Sequence, residues 1–247
     1  MYEPNVARAL TIIAPGDIVV DIGGWACPFN RADYIIDAEP FDTRGYYRTF
    51  GGKPSQGGDV EHFSRERWIV RDLCDHAPYP FADKSVDFVV CSHTLEDLRD
   101  PLWVCSEMMR IAKRGYIEVP SRAWESSRGV ETPRTAGLSH HRWLIDIDGD
   151  RIDFLMKYHV IHSHWRYSLP ASFGASLSEE AAVQWMFWTD RFEARERTIH
   201  GLDAQRAELE NFVARVRPYP AWKLKADDAK RAGARAALGA RRRIGLS

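Results

Sequence analysis

The chain has 247 residues, 45% of them hydrophobic and 28% charged. That length holds one doubly wound sheet plus an excursion or small lobe, and the composition excludes a disordered or fibrous chain. Its 34 basic and 35 acidic residues leave a formal charge of -1, so no global field steers it toward nucleic acid or an anionic membrane surface.

Residues 1–16 lack the basic start and long apolar core of a signal peptide, and no apolar run approaches the roughly 20 residues of a spanning helix. The chain is expected to be soluble, without a membrane partner. Cys27, Cys74, Cys91 and Cys105 form no C-x-x-C pair, and they are expected as reduced thiols in a cytoplasm.

In chain order, Asn5 to Ile13 reads as a short helix stopped by Pro15 and Gly16. The β-branched run Ile18 to Ile22 reads as a buried strand. Tyr34 to Ile36, Trp68 to Val70, Val86 to Cys91 and Gly115 to Val119 are four more apolar runs. A helix before the fifth run has Asp100 at its N-cap, Pro101 in its first turn, and Lys113, Arg114 and Gly115 at its end. Runs alternating with helices or loops predict a largely parallel sheet whose ligand sits beyond the carboxyl ends of the strands.

After Pro120 a polar loop is expected from Ser121 to Gly137. Trp143 to Ile147 and Arg151 to Met156 then flank Asp148-Gly149-Asp150 as a β-hairpin. A second hairpin is expected from Val183 to Trp188 and Phe192 to Ile199, turning at residues 189–191, followed by an amphipathic helix over Leu202 to Val213. From Lys223 onward the chain carries eight Lys or Arg against Asp227 and Asp228. The expectation there is a frayed, solvated tail in place of a surface for an anionic partner.

Three successive runs end in a carboxylate: Asp21 in VVDIGG, Asp37 in YIID and Asp72 in WIVRDL. On a parallel sheet these lie on one edge, with Gly23 and Gly24 leaving room for a ligand. A dinucleotide site calls for G-x-G-x-x-G there, but the chain offers Gly23, Gly24, Trp25, Ala26, Cys27 and Pro28. Carboxylates repel phosphate, whereas S-adenosylmethionine (SAM) carries a sulfonium and an ammonium that they favour. The pattern therefore selects SAM over NAD.

The block DLCDHAPYPFADKSVDFVVCSHTLEDLRDP, Asp72 to Pro101, resembles the type 11 family of class I SAM-dependent methyltransferases. Its acid, P-Y-P-F, D-x-S-x-D, apolar strand and S-H-x-L-E carry the likeness. The resemblance implies a Rossmann-like fold with an inserted hairpin excursion and a C-terminal hairpin. It also implies SAM as cofactor and S-adenosylhomocysteine as product. Gly23 and Gly24 would pack on the methionine part with Asp21 ordering it. Asp37 would take the ribose hydroxyls, and Asp72 the adenine amino group with Leu73 alongside. Ser92 and His93 would lie under the cofactor. Three features depart from the family: residues 24–34 are too short for the usual first helix, residues 41–62 look like a mobile loop, and Glu96-Asp97 stands where the family often has Glu-His.

The expected organisation is a SAM-binding core at 1–120, an acceptor-side insertion at 121–177, a completing hairpin and helix at 178–222, and a basic tail at 223–247. The function expected is methyl transfer to an oxygen or nitrogen of a small molecule or sugar. A noncatalytic SAM-binding protein and an NAD-dependent oxidoreductase are the alternatives, and a homo-oligomer is left open. An alcohol acceptor needs a base, and His140 and His141 in GLSHHRW are the candidates. No metal is expected, because His140-His141 and His162-x-His164 show no carboxylate partner in sequence. Trp124, Trp143, Trp165, Trp185 and Trp188 are expected in core positions in preference to an aromatic pocket.

Overall fold

The computed structural model describes residues 1–243, so residues 244–247 of the expected basic tail lie outside it. The five apolar runs form β1 (Val19–Ile22), β2 (Tyr34–Asp37), β3 (Trp68–Val70), β4 (Phe88–Ser92) and β5 (Arg114–Pro120). Later strands are β6 (Trp143–Asp148), β7 (Arg151–Met156), β8 (Val183–Thr189) and β9 (Glu193–Arg197). The main sheet has the order β3-β2-β1-β4-β5-β8, parallel except for β8. Strand order reverses between β1 and β4, which creates a switch point at their carboxyl ends. This is a Rossmann-like α/β fold.

Alternation along the strands fills two cores. Val19, Ile35, Phe88 and Val90 face α1 (Glu3–Ile12), which buries Val6 and Ala9 against them. Val20, Ile22, Ile36, Val89 and Cys91 face α2 (Pro101–Ile111), which contributes Val104, Cys105, Met108 and Ile111. Both faces are covered, which is why the strands are almost continuously apolar. The Asp100 side chain caps α2 by accepting from Trp103 N at 3.0 Å, and Pro101 opens the helix without needing a donor.

No α-helix follows β1 or β2. The turn at residues 24–33 is instead held by residues 41–58, through Gly45 N to Trp25 O, Tyr47 N to Ala26 O and Gln56 N to Pro28 O. Trp25 stacks on Tyr46 with ring centroids 4.7 Å apart. The expected mobile loop is therefore packed down on the turn that it covers.

The hairpin of β6 and β7 forms as expected. The second hairpin does not: β8 pairs antiparallel with β5 in the main sheet, whereas β9 pairs parallel with β7 in a separate three-stranded sheet. Side-chain chemistry explains the split. Strand β8 carries buried Met186 and Trp188 into the main core, while β9 is EARER and its Arg195 pairs with Asp153 of β7.

The expected polar loop after β5 is also largely packed. It contains α3 (Arg122–Glu125), capped by Ser121, and it buries Arg122, Glu125, Ser126 and Ser127. The short helices α4 (Ala171–Gly174) and α5 (Glu179–Ala182) lead into β8. After α6 (Leu202–Val216), the basic segment forms α7 (Ala221–Arg243). Its early turns dock instead of fraying: Asp227 receives Arg166 at 2.8 Å, and Lys223 lies over the Trp165 ring. Among the described residues, no helix is long and apolar enough to cross a membrane.

Candidate cofactor and acceptor site

Parallel register places Asp21, Asp37 and the exit of β3 at the same edge of the sheet. Asp21 is 3% exposed, and its Oδ2 accepts from Phe29 N at 2.8 Å. Burial without a countercharge pushes its carboxyl up to about 7. The two glycines are sterically required. A Cβ on Gly24 would stand 2.3 Å from Asp21 Oδ2, and one on Gly23, whose φ is +79°, would stand 2.2 Å from Thr94 Oγ1.

Asp37 is buried at the end of β2. Its Oδ2 accepts from Trp25 N at 3.0 Å and its Oδ1 from Glu39 N at 2.9 Å, which ties the glycine turn to the strand exit. Burial raises its carboxyl above the usual range. Each oxygen accepts one backbone donor and retains a lone pair for another. Asp72 differs: it is exposed, accepting from Cys74 N at 2.8 Å and from Arg99 at 2.6 Å. These bonds hold its carboxyl below the usual range. Leu73 packs into the main core.

Strand β4 ends at Ser92, whose buried hydroxyl has no hydrogen-bond partner among the described residues. The next residue, His93, has φ 53°. Its Nε2 lies 3.1 Å from Glu118 and its Nδ1 3.6 Å from Glu96. Burial opposes the imidazolium, but the two carboxylates outweigh it and raise the group to about 9.

Residues 93–97 form the joint between the glycine turn and a second cluster. On one side Thr94 touches Gly23. On the other, Arg142 N donates to Glu96 O at 2.7 Å and Trp143 Nε1 to Leu98 O at 2.7 Å. This brings the expected pair, His140 and His141, to the end of β4. His141 is buried, with Nδ1 2.8 Å from Glu125 and Nε2 3.8 Å from Asp97. His140 is exposed, and its Nε2 is 3.9 Å from the same Asp97 oxygen. Burial acts against a charged His141, but Glu125 raises it above its ordinary value.

Glu125 also receives the buried ammonium of Lys157, which donates in addition to Leu138 O at 2.6 Å. The loop fits over Glu125 because residue 137 is glycine: at φ +59° a Cβ there would stand 2.1 Å from Glu125 Oε1. Sequence reading missed Glu125, Lys157 and Glu118, and it noted Glu96-Asp97 only as a departure. The departure was the one available signal, because the other partners lie in separate segments.

The second histidine pair is structural. His162 Nδ1 accepts from Ala136 N at 3.1 Å, and His164 caps Arg166 N and pairs with Asp227 at 3.3 Å. Trp143, Trp185 and Trp188 pack on the two cores. Trp165 packs on Tyr219.

Residues 54–117 match the methyltransferase domain family, type 11. The matched stretch runs from before β3 into β5 and contains Asp72, Leu73, Ser92 and His93, while Asp21, Gly23, Gly24 and Asp37 precede it. No curated protein matches the sequence. Among solved structures, the chain is similar to the methyltransferase in complex with the Trm112 methyltransferase activator of Haloferax volcanii. Identity there is 24%, with 48% of this chain and 53% of that one covered at a TM-score of 0.32. A SAM-dependent methyltransferase from Aquifex aeolicus aligns at 18% identity over 49% of this chain and 65% of that one, TM-score 0.33. An N-methyltransferase of Haemonchus contortus, in complex with phosphomonomethylethanolamine and S-adenosylhomocysteine, aligns at 14% identity over 49% of this chain and 29% of that one, TM-score 0.32. The chain thus spans about half of the first of these relatives and under two thirds of the others. The strand order and its switch point carry the fold assignment.

Proposed function

We propose that the protein is a SAM-dependent methyltransferase acting on an oxygen or nitrogen of a small molecule or sugar. The observation that carries this reading is the edge formed by Asp21, Gly23, Gly24 and Asp37 at the switch point. That edge has acids where a dinucleotide site needs a phosphate cradle, and no helix N-terminus follows β1 to receive a pyrophosphate. The glycine turn is a cradle that any side chain would fill, and Asp37 has acceptor capacity left for ribose hydroxyls. Asp72 is the third contact, with its Arg99 partner limiting how closely an adenine amino group approaches.

SAM, when bound, supplies a methyl group on a positively charged sulfur that leaves as a neutral thioether. The chain therefore has to align the acceptor, exclude water and take a proton. His141 is the proton acceptor in this reading: Glu125 fixes its Nδ1, leaving Nε2 toward Asp97, with His140 beside it. With SAM held at the edge, the chain's own part would be to keep the acceptor in line and to take its proton at Nε2 of His141.

SAM and S-adenosylhomocysteine are expected to raise the melting temperature while NAD and NADP leave it unchanged. No shift with either SAM ligand at millimolar concentration would falsify the cofactor assignment. Once an acceptor is found, His141→Ala should lower turnover by about a hundredfold or more and leave SAM affinity within a few-fold. Equal losses of both would move this histidine into the cofactor site.

A further inference from the structure

We propose that Asp97, His140 and His141 form a binding site for one divalent transition-metal ion of the zinc class. The donor atoms of Asp97, His140 and His141 lie within 4.8 Å of one another. Donors around a tetrahedral ion with roughly 2.1 Å bonds stand about 3.4 Å apart, so small side-chain rotations close this set on an ion. Two imidazoles with carboxylate oxygens are a donor set for zinc-class ions and a poor one for magnesium or calcium, which take all-oxygen shells.

Two further observations point to a ligand. Glu96 is 1% exposed, yet neither of its carboxylate oxygens has a hydrogen-bond partner among the described residues. The buried Oδ1 of the next residue, Asp97, likewise has no hydrogen-bond partner among the described residues. A buried carboxylate oxygen without a donor is costly, and a cation held between Asp97 Oδ1 and the two Nε2 atoms, 3.8 and 3.9 Å away, removes that cost. His141 also bonds Glu125 through Nδ1 at 2.8 Å and presents Nε2 to the cluster. Carboxylate behind imidazole is the arrangement that fixes a metal-ligating histidine's tautomer and direction.

The inference goes beyond methyl transfer, because ion binding requires neither SAM nor an acceptor. It bears on that reading at one point: an ion commits the Nε2 lone pairs of both histidines, so the proton-accepting role then belongs to the ion-free protein alone. The test is titration of the chelator-stripped full chain with Zn²⁺ by calorimetry, and with Co²⁺ by visible absorption. SAM-induced thermal shifts are read on the same samples. One equivalent should bind, with a d–d absorption of the strength that low-coordinate Co²⁺ gives. His140→Ala, at an exposed position, and Asp97→Asn should each weaken Zn²⁺ by more than tenfold, and His159→Ala, away from the cluster, should leave it unchanged. Glu125→Gln should weaken it by roughly tenfold through the loss of its hold on His141. Absence of a bound equivalent, or equal affinity in His140→Ala and Asp97→Asn, overturns the site. A SAM shift that persists without ion binding removes the metal and leaves the methyltransferase reading standing, whereas ion binding without any SAM shift does the reverse.

Discussion

The strand edge proposed for the cofactor and the histidine cluster proposed for the acceptor adjoin through residues 93–97 but are stabilised in opposite ways. On the edge, Asp21 and Asp37 are buried among uncharged backbone donors, from Phe29, Trp25 and Glu39. In the cluster, Glu125 is buried between two groups that can carry positive charge, Lys157 and His141. Backbone donors shape a turn but offset the burial of a carboxylate only in part. Paired charges offset it well, provided that every member stays in place.

The largest effect that separates the two regions is therefore expected from Glu125→Ala. Removing this carboxylate leaves the Lys157 ammonium buried with, among the described residues, only Leu138 O as a partner, a defect that costs about 3 to 5 kcal/mol. Glu125→Gln keeps an acceptor for His141 and should cost less. Denaturant midpoints compare the two, and near-native stability of the alanine variant would show that Lys157 finds water instead.

The same contrast explains what was legible in the sequence. Asp21 is the next-to-last residue of β1, Asp37 ends β2 and Asp72 stands two residues past β3, and their backbone partners lie at |i−j| of 8, 12 and 2. Strand periodicity and local spacing were enough to place them, together with the five parallel strands. The partners in the cluster are 16 residues apart for Glu125 and His141, and 32 for Glu125 and Lys157. They meet only because the loop after β5 folds back on the end of β4, and no local pattern encodes that return. The missed split of β8 from β9 has the same origin. A three-residue turn between apolar and mixed strands looks like a hairpin until β5 and β7 compete for them.

Next in size is the pH dependence, on the order of 4 kcal/mol from Asp21 alone. Its folded pKa, about 7, lies above the ordinary aspartate value of 3.8, so the folded chain keeps a proton that the unfolded chain releases. Stability should be full below about 3.8 and fall as pH rises to about 7. On the other side of the joint, His93 is raised from 6.5 to about 9. Its contribution is complete below 6.5 and is lost as pH rises through about 9. Chemical denaturation across pH should show two successive declines. Asp21→Asn should remove the first and His93→Gln the second, and a single decline unaltered by Asp21→Asn would mean that Asp21 is ionised in the folded protein.

The smallest expected effect, and the most local, is at Asp37. Its two oxygens hold the amides of Trp25 and Glu39, and the proposed function gives the same oxygens to the ribose. Loss of the ribose contact costs about 1.5 to 3 kcal/mol, roughly ten- to hundredfold in SAM affinity. Asp37→Ala also releases the glycine turn, so weaker binding alone does not show which role was lost. A deoxyribose analogue of S-adenosylhomocysteine separates them. In the native protein the missing hydroxyl should weaken binding, because an oxygen of Asp37 then goes without that donor. In Asp37→Ala the parent ligand and its deoxy analogue should bind alike, since the hydroxyl has no carboxylate to meet. A coupling energy near zero in this cycle, measured by calorimetry in folded variants, would assign Asp37 to the turn alone and move the ribose contact to Glu39, the next carboxylate along the same strand exit.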